Sequence, residues 1–115
     1  VTEYASAEDL EAGDLDLDGE DVTLPSGGVV RVRGLSRHEL MFNGKGTEES
    51  EVIERRNVVS CMVVPKMTLQ QVEKWQRNSP AGGDFKVLSE KIRDLSGMGQ
   101  GAAKRSVDGA GDDGA

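Results

Sequence analysis

Residues 67–99 read MTLQQVEKWQRNSPAGGDFKVLSEKIRDLSGMG, and this stretch decides the fold. Thr68 and Gln71 stand at capping-box spacing, where each side chain satisfies the other residue's backbone N–H. A helix opens there, with Leu69, Val72 and Trp75 or Gln76 along one side. The segment Asn78 to Gly83, with Pro80 and two glycines, interrupts it. Phe85, Leu88, Ile92 and Leu95 then recur at intervals of three, four and three, the stripe of an amphipathic helix. Gly97 follows where a left-handed C′ residue is needed.

Working outward, residues 24–35 read LPSGGVVRVRGL. Pro25-Ser26-Gly27-Gly28 is turn chemistry. Val22 and Leu24 before it, and Val30 and Val32 after it, alternate with polar neighbours. The pattern predicts a β-hairpin with one buried face and Arg31 and Arg33 on the other. A lone hairpin is marginal in water, so helices must cover it. Ser36 and Glu39 form a second capping box, opening a short helix that ends at Asn43-Gly44, with Leu40 and Met41 expected to face inward. Thr47 is expected to cap a longer helix reaching about Val63 and stopping before Pro65, because the residue preceding proline is pushed out of the α region. The run Val58, Val59, Met62, Val63 and Val64 is rich in β-branched residues, so a strand competes with helix there.

The expected fold is α+β: a small, mainly helical domain over 21–97 with an N-terminal hairpin. An acidic disordered arm over 1–20 and a Gly/Asp-rich flexible tail over 98–115 flank it, and a frayed helix from Ser6 to Ala12 is allowed within the arm. Charge divides at the same place. Residues 1–21 carry nine acidic side chains and no basic one, whereas residues 22–97 carry nine acidic and twelve basic. Nucleic-acid binding is disfavoured, because it needs a concentrated basic face and the arm opposes it. No apolar run approaches membrane-spanning length. Cys61 is the single cysteine, which rules out an intramolecular disulfide.

No residue pattern points to catalysis, a cofactor or a metal. Asp14-Leu15-Asp16-Leu17-Asp18-Gly19-Glu20 opens like a calcium loop, but the twelfth position, which must supply a bidentate carboxylate, is Pro25. His38 and Cys61 have no third, orienting group; His38 falls in the first turn of a helix and Cys61 reads as a small hydrophobe of the core. The Pro25–Gly28 turn lacks the Gly-Lys-Ser/Thr end of a phosphate loop and leads into a strand. Arg31 and Arg33 can hold an acidic partner or the protein's own arm, and a solvated strand face is the commoner reason for that alternation. Met62, Met67 and Trp75 are the candidate partner-binding residues, since methionine and tryptophan suit adaptable apolar recognition of a helix. Core packing is the competing role for Trp75.

The order of parts LPSGGVVRVRGLSRHE, VVPKMTLQQVEKW, and PAGGD followed by IRDLSGMGQGA resembles the tail assembly chaperones of long-tailed phages infecting GC-rich actinobacteria. The resemblance covers about Val22 to Gly101. It implies a protein of the host bacterial cytoplasm that coats and solubilises the tape measure protein, helps it receive the major tail tube protein, and is absent from the mature virion. It also implies a longer product of the same gene made by ribosomal frameshifting, of which this chain would be the shorter counterpart. No catalytic residue, cofactor, nucleic acid or membrane enters that role. The rival expectation is a structural component retained in the virion, such as a head–tail joining protein. The acidic arm has no counterpart in the resemblance.

Overall fold

The structure is a computed structural model that describes residues 2–98. Five helices and a three-stranded antiparallel sheet follow in the order α1 (Ala7–Ala12), β1 (Glu20–Thr23), β2 (Val29–Val32), α2 (Arg37–Asn43), α3 (Ser50–Cys61), β3 (Met62–Val64), α4 (Leu69–Asn78) and α5 (Asp84–Leu95). The class is α+β, with the expected hairpin at its N-terminal side.

β1 and β2 pair with Val22 opposite Val30 and Asp21 opposite Arg31. The turn between them closes with the Gly27 N–H donating to the Leu24 carbonyl, and Gly27 takes a φ of 102° that a side chain would resist. Val22, Leu24 and Val32 are buried and Val30 packs beside them. On the outer face Arg31 meets Asp21 at 3.0 Å. β3 adds to the far edge of β2, with a register irregularity between Arg31 and Val32.

Both capping boxes form, at Ser36–Glu39 and Thr68–Gln71. Each is worth about 1 kcal/mol to its helix. The stripe of α5 is as read: Phe85, Leu88 and Ile92 are buried and Leu95 packs against them. At its end the Met98 N–H donates to the Arg93 carbonyl and the Gly97 N–H to that of Asp94, a full Schellman motif with Gly97 at φ 77°. The helix start borrows a cap from the preceding loop, where the Phe85 N–H donates to Ser79 Oγ.

Three expectations need correction. The third helix ends at Cys61, not near Val63, because Met62–Val64 pair with the open edge of β2 instead. Its N-cap is Glu49 and not Thr47, whose hydroxyl accepts from the Glu49 N–H two residues on and shapes the turn before the helix. Met41 faces solvent, while Leu40 packs on the core.

α3 touches α2, α4 and α5, and most of its residues are therefore partly buried. Its polar residues serve those contacts. The buried Asn43 amide donates to Asn57 Oδ1 and to Ser60 Oγ. Arg56 Nη1 donates to the carbonyls of Asn43 and Lys45 at the end of α2. Gln76 on α4 accepts from Arg55 and donates to Glu54.

The arm holds α1, capped by Ser6, with no buried residue. Of the expected flexible tail, only Met98 lies within the described residues.

Candidate functional site

Two long-range ties fix the hairpin on α5. The Ser26 N–H and hydroxyl both donate to the Asp84 carboxylate, at 3.1 and 2.5 Å. At the other end the Leu35 N–H donates to Ser96 Oγ at 2.8 Å. Gly34 lies so close to the end of α5 that a Cβ there would sit 2.5 Å from the Leu95 carbonyl oxygen. The Pro25–Gly28 turn thus presents its donors to a carboxylate of the protein itself, where a phosphate would be repelled.

The most organised polar cluster joins Arg33 to Glu39. The guanidinium and carboxylate meet in two parallel bonds of 2.9 and 2.7 Å, and Glu39 Oε1 also accepts the Ser36 N–H. The hydrogen bonds from Arg33 hold the Glu39 carboxyl at about 2, against the opposing effect of burial. From the sequence Glu39 is expected only in the cap and Arg33 on the outer strand face; the structure pairs them. The pair closes β2 onto α2 and leaves its charges matched.

Cys61 is fully buried, and burial pushes its thiol up to about 12, with Glu39 adding to the rise and Arg33 opposing it. Such a thiol is not a nucleophile at neutral pH. His38 stacks on Phe42 with ring centroids 6.2 Å apart, and among the described residues no hydrogen bond links it to Cys61.

In the calcium-like segment Asp16 Oδ1 accepts the N–H groups of Asp18 and Gly19 at 3.0 and 3.4 Å. Glu20 pairs with Lys91, and Asp21 with Arg31. Arg31 also donates to the carbonyls of Asp18 and Gly19. Of the roles open to Arg31, contact with the arm is the one that forms. Among the described residues no group of three metal-ligating side chains comes together. A cleft of about 700 Å³ separates the arm from Gly34–Arg37 and Leu95–Gly97.

The three residues expected to bind a partner do not form one surface. Met62 is 1 % exposed and belongs to the core, because β3 turns it opposite Val32; its assignment to an apolar surface is corrected here. Trp75 is half-buried with its ring edge-on to Phe85, centroids 5.1 Å apart, so it joins α4 to α5. Met67 is half-buried against the core. Exposed apolar side chains of the domain lie elsewhere: Val64 and Leu69 on either side of Met67, Val29 at the start of β2, and Met41 and Phe42 on α2. Leu69, expected on one side of α4 with Val72 and Trp75, is the first residue of that helix and stands in solvent, and Val64 lies at the proline-punctuated junction outside any helical stripe.

Comparison of the chain with known protein families, curated proteins and solved structures found no match in any of the three. Among the described residues, no helix is long and apolar enough to cross a membrane.

Proposed function

We propose that this protein is a tail assembly chaperone of a long-tailed phage, which coats the tape measure protein in the host cytoplasm and leaves before the virion is complete. The observation that carries the reading is a coincidence of place. The segment VVPKMTLQQVEKW, on which much of the resemblance rests, is also where Val64 and Leu69 stand exposed around a half-buried Met67. Short apolar runs of this kind suit weak contacts to a helical partner, summed over many copies along one long chain. Val64, Met67 and Leu69 are the contact residues of this reading, with Trp75 holding the helix behind them. The major tail tube protein and a longer frameshifted product are its further partners.

Co-expression with the tape measure protein of the same genome tests the reading. The wild-type chain keeps that protein in the soluble fraction and co-purifies with it. Val64→Ser combined with Leu69→Ser abolishes both effects and leaves the melting temperature of the domain unchanged. A tape measure protein that stays insoluble beside the wild-type chain overturns the proposal. Stoichiometric recovery of the chain from purified virions overturns it in favour of a structural component.

A further inference from the structure

The outer side of α2 is apolar and basic. Met41 and Phe42 are 59 % and 58 % exposed, His38 stacks on Phe42, and Lys45 Nζ lies 5.7 Å from the Phe42 ring centroid. Arg37 begins the same helix, and Arg56 reaches its far end through the carbonyls of Asn43 and Lys45. Among the described residues, none of Arg37, Lys45 and Arg56 belongs to an ion pair. The arm is the reverse of this face, acidic and apolar. It carries no basic residue, and Tyr4, Leu10 and Leu17 are 90 %, 72 % and 65 % exposed.

One chain thus holds two unsatisfied surfaces that complement each other in charge and share apolar character. Its own arm does not cover Met41 and Phe42. Ion pairs of Glu20 and Asp21 fix the arm's root to the domain, and the arm then borders a cleft that Leu15, Leu17 and Arg37 line together, which leaves Leu10 and Leu17 exposed and Met41 and Phe42 uncovered. We propose that the arm of one copy docks on the α2 face of a second copy. Leu10 and Leu17 cover Met41 and Phe42 there, and the flanking carboxylates lie against Arg37, Lys45 and Arg56. Donor and acceptor surfaces differ, so each pairing leaves one arm and one face unused. Such head-to-tail contacts extend into an open chain unless a ring closes. The proposal stands whether or not the protein engages a tape measure protein.

Sedimentation velocity on the full chain tests it. The average mass rises with concentration at about 0.01 M salt and returns to the monomer at about 1 M, as the screening length falls from about 30 to about 3 Å. Leu10→Ser with Leu17→Ser (the arm variant) and Met41→Ser with Phe42→Ser (the face variant) are each monomeric. Mixed in equal amounts, they form a dimer that grows no further, because only one intact arm and one intact face remain to meet. Circular dichroism verifies both folds; should the face variant unfold, Lys45→Glu carries the same test. A wild-type chain that is monomeric at low salt overturns the proposal. So does a mixture that stays monomeric, the result expected if each arm docks on its own domain.

Discussion

Replacing Glu39 by glutamine isolates the charge of the Arg33–Glu39 pair. The amide oxygen can still accept the Ser36 N–H, so the helix cap survives while the counter-charge of Arg33 is removed. The Glu39 carboxyl lies at about 2 in the folded protein against 4.5 for an unperturbed group. At about 1.4 kcal/mol per pH decade, that interval corresponds to roughly 3 kcal/mol. Solvent reaches 29 % of the Glu39 side chain and 15 % of that of Arg33, and screening brings the expected loss to about 2 kcal/mol. A lowered carboxylate contributes stability above its unfolded value and loses it as pH falls toward its folded value. The gap between wild type and Glu39→Gln is therefore full at neutral pH and closes between 4.5 and about 2. Urea unfolding followed by circular dichroism, repeated down this pH range, reads it directly. At neutral pH the variant should also melt about 10 °C lower, since each kcal/mol shifts a domain of this size by about 4–8 °C. A variant as stable as wild type at neutral pH, or a gap that persists unchanged at the acid end, would refute the reasoning.

Gly34→Ala places a methyl group against the backbone of Leu95, where no flexible side chain can yield, and should cost about 3 kcal/mol in urea unfolding. Gly28→Ala, which meets nothing within 4 Å, should stay within about 0.5 kcal/mol of wild type and serves as its control. Cys61 should react with a thiol reagent about 100-fold more slowly in the native protein than in urea, because the thiol is enclosed and held protonated up to about 12. Rapid native labelling would contradict the buried placement.

Where local chemistry fixes local structure, the sequence was readable. Ser36–Glu39 and Thr68–Gln71 capped the helices they were expected to cap, the α5 stripe ran inward, and the Pro25–Gly28 turn joined two strands. What escaped depends on neighbours far along the chain. Val58–Val64 suits helix or strand about equally, and the free edge of β2 settled where one gave way to the other. That strand carried Met62 into the core and removed it from the expected binding surface. Arg33 and Glu39 are six residues apart, a spacing that gains meaning only once the connection from β2 to α2 brings them together. α2 is two turns long, too short for periodicity to separate Leu40 inside from Met41 outside.

The two ties between the hairpin and α5 also bear on the order in which the chain can become a protein. Ser26 waits for Asp84, 58 residues later, and Leu35 waits for Ser96, 61 residues later. The hairpin is synthesised first and is marginal alone; the helix that spans it, held at both ends, emerges last. Until then Val22, Val32 and Met62 lack the apolar cover of Leu88 and Ile92. A nascent chain stopped before Leu88 would leave that apolar sheet face without this cover, and the domain should assemble late and nearly all at once.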